Sequence, residues 1–267
     1  TRGPGVVVAA AILTACIFAT VGLRVYTRLR VQKWFGPDDI FAILAFFTTL
    51  GFNVVTIVGH AKYGWDRHSW DIPIDLISTS IALSPASKLL FSCCASCTRM
   101  SFLFLYHRLI KTLDMRRFQM FLYAAMALVV AIFVAAFFCI FLLCSPARAY
   151  WTFPPIPGSK CVKELPVQLT MGSLHTIADL VVTILPIPII MRLPLSRSER
   201  LGALSMLSLG FAITTAGCVR IYDSWYASTG NHDLAWDTWF VWIAALAEVN
   251  FGLICCCAPT IRVLVTK

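Results

Sequence analysis

The chain has 267 residues, of which 59% are hydrophobic and only 13% charged, and its formal net charge is +9. A soluble domain carries about 25% charged residues, so the composition excludes an ordinary soluble fold and points to an integral membrane protein whose first partner is the lipid bilayer. The positive charge does not call for nucleic acid, because most Lys and Arg fall in short connections, where they set topology.

Only helices and closed barrels satisfy their backbones in lipid. Barrel strands would read as alternating segments of about 10 residues, whereas the apolar runs here are long and unbroken. The expected fold class is therefore all-α, a seven-transmembrane-helix bundle. The spans are expected near residues 5–28, 38–60, 80–109, 118–144, 165–191, 201–224 and 236–259. No repeat, low-complexity tract or linker divides them, so residues 1–267 read as one domain. The first apolar run, Val6 to Leu23, is long enough to span and does not read as a cleavable signal peptide.

The connections alternate in character. The first (Arg24, Arg28, Arg30, Lys33), the third (Arg108, Lys111, Arg116, Arg117), the fifth (Arg192, Arg197, Arg200) and the tail (Arg262, Lys267) are basic. The others carry fewer cations, such as Lys62, Arg67 and Lys160, and more aromatics: Trp65, Trp70, Trp151, Trp236 and Trp239. The positive-inside rule then predicts an outside N-terminus and a cytosolic C-terminus. The aromatics read as an interfacial belt. Their concentration on one side leaves the alternative of an aromatic lid, including Trp151 and Trp239, over an outward-opening ligand pocket.

The third span carries a polar stripe of Lys88, Ser92, Ser96 and Arg99. Its Cys93, Cys94 and Cys97, like Cys255, Cys256 and Cys257 in the last span, read as small packing residues. Adjacent cysteines point to different sides of a helix, and no metal site is expected. Cys144 and Cys161 bracket the second outer loop and are expected to pair, with a bond from one of them to the third span as the alternative.

The fifth span holds His175 and Asp179, four apart and on one helix face. Pro186 and Pro188 can kink or end it. The seventh holds Glu248, with Ala244, Ala245 and Gly252 on the same face. Ionisable groups at mid-membrane cost several kcal/mol, about 3 on insertion scales, so Arg99, Asp179 and Glu248 are expected to form one network. One reading makes it a salt-bridge network that fixes helix register. The other makes it a binding or proton-transfer centre, with His175, Asp179 and Glu248 as acid–base groups and Arg99 and Lys88 as ligand contacts. A His near an acid titrates near neutrality. Arg220 is read as structural, near the outer end of the sixth span beside Asp223, and His60 and His107 as solvated span-end residues. A retinal pigment is not expected, because the seventh span has no Lys before Lys267, and no cofactor motif occurs.

These residues resemble the fungal rhodopsin-domain family of seven-helix membrane proteins, over nearly the whole chain. The resemblance lies in Arg24-Val-Tyr26-Thr-Arg28 followed by Phe35-Gly36-Pro-Asp38-Asp39, and in Arg99-Met-Ser101 through Tyr106-His-Arg108. It continues in Cys144-Ser-Pro146 with Trp151 and Cys161, Asp179-Leu with Leu185-Pro186-Ile187-Pro188, and Glu248 with Cys257-Ala-Pro259-Thr260-Ile261-Arg262. The family usually has Lys where Arg99 stands and Asn where His175 stands. It includes surface-sensing receptors and membrane proteins of mycotoxin clusters.

The resemblance implies a receptor-like protein binding an apolar or amphipathic small molecule, with a cytosolic signalling partner. The location would be the plasma membrane or the endoplasmic reticulum and secretory membranes. The alternative is a cofactor-independent intramembrane cyclase or isomerase of terpenoid or polyketide metabolism. Against docking a signalling partner, the third inner connection, Arg192 to Arg200, is very short.

Overall fold

A computed structural model describes residues 3–111, 116–154, 156–192, 197–229 and 233–265. Among them, seven helices are long and apolar enough to cross a membrane. They are α1 (Gly3–Tyr26), α2 (Pro37–Lys62), α3 (Ile74–Lys111), α4 (Arg116–Leu142), α5 (Glu164–Ile184), α7 (Arg197–Thr229) and α9 (Trp239–Val265). Two short helices intervene, α6 (Ile187–Arg192) and α8 (Leu234–Asp237). The spans pack as a ring in chain order, closed by α1 against α9, with α3 also touching both α5 and α9.

Helix ends follow local chemistry. α1 runs into a π-helical turn, Thr27–Gln32, that ends at Lys33 in the left-handed region. α2 starts with Pro37 at its first position, where a missing N–H costs nothing. The Asp39 carboxylate accepts from the Gly36 N–H at 3.1 Å. α5 stops at Ile184, just before Pro186, and α6 resumes with Pro188 in its first turn. The expected single span over 165–191 is thus split. α3 begins at Ile74, a turn and a half earlier than expected, and carries Pro85 inside it.

α5 and α7 meet along a seam of small residues. A Cβ at Gly217 would lie 2.6 Å from Thr176 Oγ1, and one at Gly210 would lie 2.7 Å from Thr183 Cγ2. Glycine at these sites lets the two backbones approach closely. Between α1, α2 and α9, Asn53 and Asn250 exchange side-chain hydrogen bonds of 3.0 Å in both directions, and Asn53 also donates to Thr14 at 2.9 Å.

After α4, Cys144–Ser145 (β1) pairs antiparallel with Lys160–Cys161 (β2). Cys144 and Cys161 are disulfide-bonded across that ladder, while Cys93 and Cys94 are free. The bundle thus has a disulfide side and an opposite, basic side.

Candidate functional site

The mid-membrane charges converge, as their shared depth requires, but with a partner that the sequence reading placed elsewhere. From α3, Arg99 donates to both oxygens of Asp179 on α5, Nε to Oδ1 at 2.7 Å and Nη2 to Oδ2 at 2.8 Å. This is the bidentate fork that guanidinium geometry favours. Arg99 Nη2 also donates to the His175 carbonyl at 3.1 Å and lies 4.0 Å from Glu248 Oε1. Glu248, on α9, takes its closest bond from Arg220 Nε on α7, at 2.9 Å. Arg220 is therefore the partner of Glu248, not of Asp223, whose Oδ2 has no hydrogen bond among the described residues. Two guanidiniums and two carboxylates sum to zero charge.

His175 faces cations rather than an acid. Arg99 Nη1 lies 2.8 Å from its Nδ1. A guanidinium only donates, so Nδ1 is the acceptor and the ring proton sits on Nε2, 3.3 Å from Ser92 Oγ. The imidazole is neutral in this arrangement, which reverses the expectation that a neighbouring acid would set its titration.

This neutral quartet is a partition between two cavities. On the basic side, a cavity of about 960 Å³ is lined by Arg99, Asp179 and Glu248 at its deep end and by Tyr106, Met206 and Pro259 further out. On the disulfide side, a cavity of about 930 Å³ is lined by His175 and Arg220 at depth, by Phe91 and Trp242 on its walls, and by Lys88 and Tyr150 at its rim. The Arg220 guanidinium lies 4.6 Å from the Phe91 ring centroid.

At the rim, Lys88 is ion-paired with Glu164 and donates to the Tyr150 hydroxyl at 3.0 Å. Burial raises the Tyr150 phenol above its ordinary value, against the pull of Lys88. Of the two expected tryptophan contacts, neither lines this cavity. Trp151 is half-buried just past Tyr150, and Trp239 packs edge-on to Phe240, 4.8 Å between centroids. The aromatic wall is instead Trp65 stacked on Trp242 at 4.2 Å. His60 is buried against that stack, not solvated.

Above the stack, the α2–α3 connection is fastened to Asp233, just before α8. His68 is hydrogen-bonded to Asp233 and sandwiched between Trp70 and Trp236. Asp233 also accepts from Ser69 N–H at 2.9 Å. Burial would raise the Asp233 carboxyl, but the bonds from His68 and Ser69 outweigh it and hold it below its ordinary value.

A second neutral quartet lies at the basic side, where the sequence reading placed loop charges. Arg24 and Arg28, each 2% exposed, both bond Asp38 and Asp39. Arg24 also donates to the Cys256 carbonyl at 2.6 Å, and Ser101 Oγ donates to the Asp38 carbonyl at 2.6 Å. Trp34 covers this cluster, with the Arg108 guanidinium 3.9 Å from its ring centroid. Among the described residues no group of three or more His, Cys, Asp or Glu side chains could hold a metal ion.

The family described as the fungal rhodopsin domain matches residues 23–267. Among curated proteins, the chain is 26% identical to "Fugralins biosynthesis cluster protein 2" of Gibberella zeae, over 96% of this chain and 63% of that protein. It is 25% identical to "Receptor GIN3" of Arthrobotrys oligospora, over 93% of this chain and 60% of that protein. The chain therefore spans under two thirds of the length of these relatives. No solved structure matches.

Proposed function

The chain belongs to the fungal rhodopsin domain family, and we propose that it is a receptor-like membrane protein that binds an apolar or amphipathic small molecule in its disulfide-side cavity, opening outward. One observation carries this reading: a cavity of about 930 Å³ within the bundle, walled by aromatics and ending on His175 and Arg220. That volume lies within the range of about 300–1,000 Å³ usual for small-molecule sites, as does a mainly apolar wall with a few convergent polar groups. The name of one relative, a receptor, supports the same reading.

The same proposal sets the topology: N-terminus outside, tail in the cytosol, residues 1–267 as one seven-helix domain. The disulfide supports that orientation, since such bonds persist on oxidising faces. The membrane is the plasma membrane or one of the secretory pathway.

An intramembrane cyclase or isomerase using His175, Asp179 and Glu248 is the second reading. The presence of His175 in the cavity wall and the biosynthetic-cluster relative favour it. Against it, Arg99 occupies both Asp179 oxygens and His175 Nδ1, and Glu248 borders the other cavity. A general acid or base must reach the substrate proton, and these groups reach a guanidinium instead.

The test uses Ser84→Trp, which fills the cavity from α3, one turn before Lys88 at the rim. Purified protein in nanodiscs is equilibrated with fungal lipid and metabolite extract, and bound molecules are identified by native mass spectrometry. Binding reads as a small molecule held by the parent protein and lost in the folded variant. Retention by the variant, or no bound molecule in either, rejects the cavity as the site. Turnover of a bound molecule to a product, abolished in His175→Asn, selects the enzyme.

A further inference from the structure

The disulfide-side cavity also carries information about the charge and chemistry of its occupant, and the inference rests on the ligand-binding reading just given. Its charged lining residues are Lys88, Glu164 and Arg220, with Glu248 directly behind Arg220. Lys88 is paired with Glu164 and Arg220 with Glu248, so the site is neutral before anything enters. A charged ligand group reaching the deep end would break one of these pairs or stay unpaired in a poorly solvated place, and either is costly.

The deep end is nevertheless not inert. Arg220 spends Nε and Nη2 on Glu248, at 2.9 and 3.5 Å. Its Nη1 makes no hydrogen bond among the described residues and lies 3.5 Å from where a Gly172 Cβ would stand. Gly172 lines the same cavity. The missing side chain there leaves Nη1 uncovered. Beside it, the donor on His175 Nε2 is aimed at Ser92, and Ser224 Oγ donates to the Arg220 carbonyl at 2.7 Å while accepting from Gln168 Nε2 at 3.2 Å. A free group at the bottom of this aromatic-walled space is therefore a donor on a side chain whose charge is already balanced.

We propose that the ligand is an uncharged, carbonyl-bearing amphiphile (a ketone, lactone, ester or amide) whose carbonyl oxygen accepts from Arg220 Nη1, with Gly172 and Arg220 as the specificity-determining pair. A carboxylate of the same skeleton is rejected because Glu248 and Glu164 already hold the two cations. The bare hydrocarbon fits the walls but leaves Nη1 without an acceptor.

Three rigid probes with one tricyclic skeleton separate these cases: 9-fluorenone, fluorene and fluorene-9-carboxylate. Binding is measured by equilibrium dialysis against protein-loaded nanodiscs, with empty nanodiscs correcting for partition into lipid. The expected order is fluorenone tightest, by about tenfold over fluorene, as suits a hydrogen bond to a charged donor, with the carboxylate weakest. Arg220→Lys keeps a cation for Glu248 but withdraws the Nη1 donor, and should bring fluorenone down to fluorene while fluorene itself holds. Gly172→Ala shields Nη1 and should lower the ketone preference in a protein whose charges are untouched. Equal binding of fluorenone and fluorene, a carboxylate that binds best, or a ketone preference that survives in Arg220→Lys each overturns the ligand class while leaving the cavity as a binding site. Failure of all three probes to bind the parent protein overturns the cavity reading and the ligand class with it.

Discussion

Arg99 has more partners than any other charge at mid-membrane, and that asymmetry makes the substitutions there unequal. Removing it leaves Asp179 without either of its hydrogen bonds and His175 without the donor at Nδ1. Breaking one side of a buried pair costs about 3–5 kcal/mol, so Arg99→Leu should sharply lower the melting temperature in detergent. Asp179→Asn should cost clearly less, because Arg99 keeps the His175 bonds and sits 4.0 Å from Glu248. Arg99→Leu combined with Asp179→Leu should recover most of the loss, since no uncompensated charge remains. If Asp179→Asn proves as damaging as Arg99→Leu, Glu248 does not share the Arg99 charge. His175→Asn should leave the melting temperature nearly unchanged, because an amide oxygen can accept from Arg99 as Nδ1 does. Arg99, Asp179 and Glu248 were legible as a network because an ionisable residue inside an apolar run has nowhere else to go. Arg220 was not, because in sequence it sits beside Asp223, and only the rotation of α7 decides that it faces Glu248.

At the scale of the helix, the α5–α7 seam holds three residues of the central site at fixed separation, His175 and Asp179 on one side and Arg220 on the other. Gly217→Val should push α7 off Thr176 and destabilise the protein, by about 1–3 kcal/mol for an overpacked contact. Thr176→Ala in the same chain removes the atom that a Cβ at Gly217 meets first. It should return part of the melting temperature, whereas Thr176→Ala paired with a substitution outside the seam should not. The fastening at Asp233 is a second element-scale test. Its carboxyl is held below its ordinary value, so its contribution is complete above the unfolded-state value of about 3.9 and is lost only as the pH falls through the lower folded value. Asp233→Asn should therefore speed amide exchange over residues 68–72 at neutral pH, and acidification of the parent protein should do so only below the ordinary carboxylate range. The seven spans were readable because hydropathy needs no tertiary information. Their ends were less so: α1 continues through a π-helical turn, which carries Arg28 inward, and a charge at the end of an apolar run reads by default as a loop charge.

For the molecule as a whole, the main buried polar clusters fall into layers whose charges are each balanced: the Arg24–Arg28–Asp38–Asp39 quartet at the basic side, the Asn53–Asn250 pair, the Arg99–Arg220–Asp179–Glu248 quartet, and the Lys88–Glu164 pair near the disulfide. The last three layers tie helices distant in sequence, and the first, between α1 and α2, reaches α9 through Arg24 and the Cys256 carbonyl; an apolar bundle in lipid needs such ties, because packing alone gives little preference among rotations of a helix about its own axis. Since these charges neutralise one another inside the bundle, they cannot orient it in the membrane. That task falls to exposed cations such as Arg30 and Arg108 on one side and Arg148 and Lys160 on the other. Orientation should therefore survive loss of a buried quartet member and respond to the exposed cations. Single cysteines at Lys160 and Arg30, in a background lacking the exposed free thiols of Cys16 and Cys218, should label from opposite faces of sealed cells with a membrane-impermeant maleimide. Lys160→Cys should react from outside and Arg30→Cys only after permeabilisation. Adding Arg24→Met to either should lower the yield of folded protein without exchanging the labelled face. Labelling of both sites from one face would break the seven-span topology. An exchange of faces on Arg24→Met would mean that the buried cation, and not the exposed set, sets the orientation.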